Sequence, residues 1–326
     1  MSRQRIIARF AAPVLLVALA GAGGVPAVAH QASTRYPAVV TGTGPGLYPE
    51  GVAWDATRGR LLVGSARTGT VSVVAPDGRT TPLITDPTLI STFGLAVDAR
   101  RHRVLVTYAD IGVGSGTSAQ TQQQWSGLLI ADLGSGRVLH RVQLGASGPR
   151  AANDVAVGPD GTAYVTDTLG DAVYRVDVGG RVLGAVTDPR FVSAGFGVNG
   201  IVWDPRGFLV TARYDTGQIF RFGPDGRQVA ELAHDGDLAG ADGLVMLPGG
   251  TLQVTTNALG GNGIDAVHRL RPVPGGWHQV SVTAWADPVP TTAALTTSGI
   301  YVLSGRIDRL QAGDSTVTEF SLRRAG

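Results

Sequence analysis

Residues 153–167 read NDVAVGPDGTAYVTD, and this stretch contains the pattern that decides the fold. Two short apolar runs, 154–157 and 162–166, flank the turn sequence GPDG at 158–161. β-branched residues favour strands, and Gly, Pro and Asp favour tight turns. The stretch therefore predicts a β-hairpin.

The same template recurs five more times along the chain. Each copy has a short apolar strand, a turn rich in Asp, Pro or Gly, and a second apolar strand. The other copies are EGVAWDATRGRLLVGS at 50–65, FGLAVDARRHRVLVTY at 93–108, NGIVWDPRGFLVTAR at 199–213, DGLVMLPGGTLQVTT at 242–256 and TTAALTTSGIYVLSG at 291–305. The copies begin about 48 residues apart on average, which is the period of a four-stranded propeller blade.

The intervals between copies each have room for two further strands. The sequence therefore predicts an all-β fold, a six-bladed β-propeller with four antiparallel strands per blade. In the last blade, the third and fourth strands are predicted at 307–310 and 316–322. The segment 36–40 is predicted to lie beside 316–322 and to protect the last open edge of the ring. No segment has a sustained apolar period of 3.6 residues, so little helix is expected.

Composition excludes several classes of function. The 326-residue chain has no Cys, which excludes disulfides, thiolate zinc sites and thiol nucleophiles. All 27 basic side chains are Arg, so mechanisms that need a lysine are excluded. The formal net charge is +2 and the arginines form no stripe, so no nucleic-acid partner is expected. Any metal has to be held by oxygen or nitrogen ligands.

The N-terminal residues have the order of a secretory signal. Three arginines precede an apolar stretch at 10–22, and Ala-Val-Ala at 27–29 is a cleavage sequence. The apolar stretch is shorter than the roughly 20 residues that span a membrane. We therefore expect a signal peptide at 1–29, cleavage after Ala29, and a single domain at 30–326. The mature protein is expected to be secreted and monomeric, without stable membrane association.

In a propeller, equivalent residues of the six sequence copies are expected to meet at one site. The first strand of each blade lines the central channel, so the residues that begin the six first strands form a ring at one mouth. Four of the six carry oxygen atoms that can bind a metal. Two carboxylates and two amides suit a hard divalent cation, and Ca²⁺ neutralises their total charge of about −2. The ring residues are Glu50, Phe93, Asn153, Asn199, Asp242 and Thr291.

At these positions the chain resembles the SMP-30/gluconolactonase/LRE family, also called regucalcin-like. This family lies within the wider group of six-bladed propellers that includes paraoxonases and strictosidine synthases. The resemblance covers about residues 45–324. Its specific part is EGVAW at 50–54, ND at 153–154, NGI at 199–201 and DG at 242–243.

The resemblance implies a metal on the propeller axis and lactone hydrolysis beside it. It implies Glu50, Asn199 and Asp242 as core metal ligands, and Asn153 as a further ligand or a contact to the substrate. In this family the metal polarises the lactone carbonyl, and the Asp that corresponds to Asp242 acts as the base or orients the water. The resemblance thus implies one Ca²⁺ per chain and a small lactone or ester as substrate.

Two departures from the family pattern narrow this expectation. Sugar-lactone members have an Arg two residues before the third-blade Asn, where this chain has Ala151, which argues against an aldonolactone substrate. Paraoxonase-like members have an acid after the first Glu and a catalytic His pair. Here Gly51 follows Glu50, and only His234 is predicted on that face.

Two alternatives to a lactonase remain open at this point, since a fold does not determine a function. One is a non-catalytic propeller that a metal stabilises and that binds a small molecule, carbohydrate or peptide. The other is a strictosidine synthase-like enzyme on the same scaffold.

Two loops are predicted on the face that carries the site. The polar insertion at 110–126 is predicted to cover the metal mouth and to shape the substrate range without contributing much to stability. The loop at 188–198 is predicted to add Phe191 and Phe196 as an apolar wall. Weaker candidates on the rim are Arg213, Tyr214 and Asn257.

Overall fold

The structure, a computed structural model, describes residues 35–145 and 147–326. The predicted signal peptide at 1–29 lies outside the described residues. Residues 35–326 form one compact unit. Along the described chain, no helix has the length and apolar character needed to cross a membrane.

The described residues form six four-stranded repeats that correspond to the six sequence copies. A strand before the first copy is β1 (Val39–Thr43). Repeat 1 contains β2 (Val52–Asp55), β3 (Arg60–Gly64), β4 (Val71–Val74) and β5 (Thr80–Ile84), and repeat 2 contains β6 (Ser91–Asp98), β7 (Arg103–Ala109), β8 (Ser126–Asp132) and β9 (Val138–Gln143). Repeat 3 contains β10 (Ala152–Val157), β11 (Ala163–Asp167), β12 (Ala172–Val176) and β13 (Val182–Thr187), and repeat 4 contains β14 (Val198–Asp204), β15 (Phe208–Arg213), β16 (Ile219–Phe222) and β17 (Ala230–His234). Repeat 5 contains β18 (Ala241–Met246), β19 (Leu252–Thr256), β20 (Ala266–Val273) and β21 (Gly276–Ala284), and repeat 6 contains β22 (Pro290–Thr296), β23 (Gly299–Ser304) and β24 (Glu319–Arg324) together with β1.

The predicted all-β class with four-stranded antiparallel sheets is confirmed. In repeats 1 to 5, each strand pairs antiparallel with the next strand in sequence. The outermost strands of repeats 4 and 5 also pair in parallel, through Ala233 with Gly276 and His234 with Trp277. This short contact joins those two repeats into one eight-stranded sheet.

The first strands of the repeats form a closed ring. They contact one another in chain order, β2 with β6, β6 with β10, β10 with β14, β14 with β18 and β18 with β22, and β22 returns to contact β2. Residues of all six strands line one channel. The beginnings of these strands are therefore brought close together although the sequence separates them widely.

Repeat 6 differs from its predicted arrangement. Residues 307–310 were predicted as a strand, but Ile307–Gln311 form a short α-helix, α1. The missing strand is supplied by β1, which pairs antiparallel with β24 from Val39 opposite Arg323 to Thr43 opposite Glu319. The predicted pairing of the N-terminal segment with the C-terminal strand is thus confirmed. β24 takes the third position of this sheet and β1 its outer edge, so the sheet has four strands without residues 307–311.

Little other helix is present in the described residues. Three short 3₁₀ turns lie at Ala99–Arg101, Pro189–Phe191 and Pro248–Gly250. The first of them separates β6 from β7, at the turn predicted between the two strands of the copy at 93–108. The low helix content follows from the absence of an apolar period of 3.6 residues.

The hydrophobic core is divided among the interfaces between neighbouring repeats. Between repeats 3 and 4, Tyr164 and Val173 pack with Ile201, Leu209 and Phe220, and all five are buried. Similar apolar clusters lie between the other neighbouring pairs. Because each interface buries apolar surface, the repeats hold one another in a fixed orientation around the channel.

Candidate metal centre

The predicted ring positions coincide with irregularities in the first strands. In five first strands, two residues oppose a single residue of the second strand. Such a β-bulge interrupts the alternation of side chains and redirects one of them. The bulge pairs are Phe93–Gly94, Asn153–Asp154, Asn199–Gly200, Asp242–Gly243 and Thr291–Thr292. The residue that the sequence pattern assigned to the ring is the first of each pair.

Glycine follows the ring residue where neighbouring repeats approach most closely. A Cβ atom on Gly51 would lie 1.9 Å from the carbonyl oxygen of Phe93, and one on Gly200 would lie 2.2 Å from that of Asp242. No side chain fits at such distances, so only glycine permits this approach. The ring is therefore closed by backbone contact from one repeat to the next.

Hydroxyl groups fix the backbone of the ring residues across these interfaces. Thr166 Oγ1 donates to the carbonyl oxygen of Asn199 at 2.7 Å, from repeat 3 to repeat 4. Thr291 Oγ1 donates to the carbonyl oxygen of Glu50 at 2.6 Å, from repeat 6 to repeat 1. Because these bonds use backbone carbonyl oxygens, the side chains of Asn199 and Glu50 remain available to other partners.

The structure brings the four predicted ligands together. On one side of the ring they line a channel of about 400 Å³, and on the loop side they line a pocket of about 40 Å³. They therefore lie at the plane that separates the two spaces. Glu50, Asn199 and Asp242 are 8%, 4% and 5% exposed. The four are Glu50, Asn153, Asn199 and Asp242.

The carboxyl groups in the ring strongly perturb one another. Burial raises the pKa of Glu50 well above its usual range, and the nearby carboxyls of Asp242 and Asp154 raise it further. Burial also raises the pKa of Asp242, with a further contribution from Asp154, while the amides of Asn257 and Asn199 lower it. Several acids held this close in a desolvated site need either protons or a cation.

Asp154 is a site residue that the sequence reasoning did not assign. It faces the channel below the ring, and burial raises its pKa to about 6. Its Oδ1 accepts from the backbone N–H of Val155 at 2.8 Å, and its Oδ2 from that of Ile201 at 3.0 Å. Both oxygens are thus occupied by the backbone, so Asp154 adds charge and joins repeats 3 and 4. The available signal was a carboxylate at the second bulge position, where three other repeats have glycine.

A buried polar chain holds Asp242 in place. Asn257 Nδ2 donates to Asp242 Oδ2 at 2.6 Å and to the carbonyl oxygen of Pro290 at 3.0 Å. Asn257 Oδ1 accepts from the hydroxyl of Tyr214 at 2.6 Å. Asn257 and Tyr214, which the sequence suggested only as weak rim candidates, therefore fix the orientation of this carboxylate.

Asn257→Leu is expected to destabilise the protein by about 1–3 kcal/mol, because it removes the amide that bonds two buried polar groups. The carboxylate of Asp242 loses the donor to its Oδ2, and the hydroxyl of Tyr214 loses its acceptor while it still accepts from the backbone N–H of Gly260. Tyr214→Phe removes only the hydroxyl at the outer end of this polar chain. It is expected to lower the free energy of unfolding by about 1 kcal/mol. Urea denaturation measures both values, and an equal effect of the two substitutions would contradict the chain as described.

The donor set fits a hard cation better than it fits a protein hydrogen-bond network. Asn199 Oδ1 is buried and has no hydrogen-bond partner among the described residues. Across residues 35–145 and 147–326, no group of three or more His, Asp or Glu side chains is arranged to hold a metal. A cation here therefore needs the amide oxygens of Asn153 and Asn199 as well as the two carboxylates. Mixed carboxylate and amide oxygens are the ligands of Ca²⁺.

Some of the loop residues predicted on this face line the pocket, and others do not. Phe196 lines the loop-side pocket, and Ile111 brings the 110–126 insertion to the same wall. Phe191, predicted beside Phe196, is instead fully buried and packs 5.4 Å from the ring of Phe220. Arg213 pairs with Asp215 and does not line the pocket.

The insertion at 110–126 makes internal hydrogen bonds to a buried acid at its base. The buried carboxylate of Asp110 accepts from the backbone N–H of Gly112 at 2.9 Å and from the hydroxyls of Thr117 and Thr121, both at 2.7 Å. A buried acid with three donors anchors the base of the loop. The structure therefore argues against the expectation that the loop contributes little to stability.

Comparison with known proteins supports the resemblance noted in the sequence. No family profile matches the chain. The chain is 31% identical over 123 residues to a putative sugar lactone lactonase from Rhizobium meliloti (strain 1021), a match that covers 36% of this chain and 40% of that relative. The resemblance to the lactonases is confirmed. The matched part is less than half the length of this relative.

Solved structures share the fold at low sequence identity. The Malassezia sympodialis allergen Mala s 1 superposes with a TM-score of 0.68 at 16% identity, covering 88% of this chain and 95% of that chain. A gluconolactonase from Xanthomonas campestris superposes with a TM-score of 0.61 at 17% identity, covering 87% and 89%. At these identities the likeness concerns the fold alone.

Proposed function

We propose that the chain is a secreted, Ca²⁺-dependent hydrolase of small lactones or related esters, with one metal site on the axis of a six-bladed propeller. The single observation that carries the proposal is the ring of Glu50, Asn153, Asn199 and Asp242, in which the amide oxygen of Asn199 is buried and has no partner among the described residues. The closed contacts of six first strands support six blades. The similarity to a sugar lactone lactonase supports the reaction class.

The ring residues have distinct parts in this proposal. Glu50, Asn199 and Asp242 would hold the cation, with Asn153 as a fourth ligand or a contact to the substrate. A bound Ca²⁺ supplies a Lewis acid that polarises a carbonyl and stabilises negative charge on its oxygen. The protein supplies the placement, because bulges and cross-repeat hydrogen bonds fix each side chain before the substrate arrives.

Asp242 is the candidate for the general base. Its carboxylate lies in the ring, and Asn257 fixes its Oδ2. A positioned carboxylate can accept the proton of an attacking water. Among the described residues that line the channel and the pocket there is no Ser or His. A direct attack by water, assisted by Asp242, is therefore favoured over a Ser-His mechanism.

The test is a pH-stat screen of lactones and aryl esters with the purified protein, with and without Ca²⁺. Hydrolysis that requires Ca²⁺ and is lost in Glu50→Ala supports the proposal. A metal-loaded protein that turns over no member of a broad panel would favour a binding protein or a strictosidine synthase-like enzyme instead.

Export is the second part of the proposal. It depends on the order of arginines, apolar stretch and Ala-Val-Ala cleavage sequence in residues 1–29. N-terminal sequencing of protein from culture medium is expected to begin at His30, and size-exclusion chromatography is expected to give a monomer. Recovery of an intact N-terminus in the membrane fraction would indicate an anchored protein.

A further inference from the structure

The loop-side pocket above the ring has an apolar wall. Its side chains come from widely separated parts of the sequence, including the 110–126 insertion and helix α1. Five of the seven belong to one apolar cluster, so they form a continuous surface. The seven are Phe93, Ile111, Ala151, Ala152, Phe196, Leu259 and Ile307.

The pocket offers no positive charge for a polar substrate. Among the described residues that line it, the charged side chains are Glu50 and Asp242. Arg150 is adjacent in sequence to the wall residue Ala151, but its Nε donates to the carbonyl oxygen of Gln124 at 2.8 Å. Arg150 does not line the pocket.

Most hydroxyl groups in the pocket are already engaged. Tyr214 donates to Asn257, and Thr291 donates to the carbonyl oxygen of Glu50. Thr168 is the exception, because its Oγ1 is buried and has no partner among the described residues. Besides the polar ring residues and the amide of Gln311, the lining therefore presents one unengaged buried hydroxyl and an apolar surface.

We infer that this site selects lactones with an alkyl or aryl substituent over polyhydroxylated sugar lactones. The lactone carbonyl faces the ring, the apolar substituent lies on the wall, and Thr168 bonds an oxygen of the lactone. Burying apolar surface on this wall is favourable, whereas a sugar hydroxyl that lies against the wall would be buried without a partner. The inference rests on the proposed hydrolase function.

Phe196 has a central part in this selection. The pocket of about 40 Å³ has room for a few water molecules and is too small for a substituted lactone. Phe196, Ile111 and Leu259 are only partly buried, so they are the wall residues that can move aside for a substituent. A substrate then lies between these side chains and the ring.

The experiment compares kcat/KM for γ-nonanoic lactone and glucono-δ-lactone in the Ca²⁺-loaded protein. The wild type is expected to prefer the alkyl lactone by about 10²-fold or more. Phe196→Asn is expected to lower kcat/KM for the alkyl lactone by about 10-fold, mainly through KM. Met246→Ala is the matched control, since Met246 lines the channel but not the pocket, and it is expected to keep the wild-type preference.

The outcomes separate this inference from the proposed function. Equal turnover of the two lactones, or a preference for glucono-δ-lactone, would overturn the inference and leave the hydrolase intact. Turnover of neither would overturn both. Calorimetry with the corresponding γ-lactam gives a readout without catalysis, and equal affinity of wild type and Phe196→Asn would remove the wall from substrate selection.

Discussion

Asp242→Asn is expected to lower kcat by about 10²-fold or more, the scale on which a positioned general base contributes. The substitution keeps the size of the side chain and one oxygen ligand, so metal binding is expected to persist. It removes the carboxylate that accepts the proton of the attacking water. The measurement is kcat for a good lactone at saturating Ca²⁺, together with Ca²⁺ affinity by calorimetry.

Asp215→Asn is the matched control for this substitution. Asp215 is a loop-side carboxylate that pairs with Arg213 and does not line the pocket. The control loses the same charge and is expected to keep the wild-type kcat. An Asp242→Asn protein that binds Ca²⁺ and reacts at the wild-type rate would assign the base elsewhere.

Ca²⁺ is expected to raise the melting temperature of the wild type and to leave Glu50→Ala almost unchanged. A ligand that binds only the folded state at 100 times its Kd adds about 2.7 kcal/mol of stability. For a domain of this size that corresponds to a shift of about 4 °C. The measurement is differential scanning calorimetry with EDTA and with Ca²⁺.

The pH dependence of stability provides a sharper form of the same test. The pKa of Asp242 is about 8 in the folded, metal-free protein, but about 3.9 in an unfolded chain. The folded state therefore retains a proton that the unfolded state has lost, so the stability of the metal-free protein falls as pH rises from about 4 to 8. Bound Ca²⁺ favours the ionised carboxylates and is expected to reduce this fall.

Glu50→Ala removes one of the mutually repelling acids. The metal-free Glu50→Ala protein is therefore expected to lose less stability than the metal-free wild type as pH rises over the same range. Asp215→Asn again serves as the control and is expected to respond to Ca²⁺ as the wild type does. Equal Ca²⁺ responses in wild type and Glu50→Ala would remove Glu50 from the metal centre.

The repeat register made the site predictable from sequence. Glu50, Asn153, Asn199 and Asp242 occupy equivalent places in four copies of one strand–turn–strand template. Because equivalent residues of a closed ring meet at its axis, the pattern placed them together without any contact information. The structure adds that the residue after each ring position is held against the neighbouring repeat, which requires glycine at Gly51 and Gly200.

Other residues were not predictable because their places depend on the packing of loops. Residues 307–310 follow β23 where the third strand of the repeat is predicted, but β24 takes that position, β1 takes the outer edge, and the segment forms α1. Phe191 and Phe196 lie five residues apart in one loop, yet one enters the core and the other the pocket. The spacing of apolar residues along the sequence predicts neither the helix nor the different positions of the two phenylalanines.

The sequence by itself determined the repeat, the all-β class and the identity of the ring residues, because alternating apolar strands and turn residues act locally and repeat in register. The tertiary structure alone decided that Asn257 holds Asp242, that Asp154 adds a third carboxylate, and that the pocket wall is apolar. Those contacts join residues from different repeats and loops. Their formation depends on ring closure, which brings distant parts of the chain within hydrogen-bonding distance.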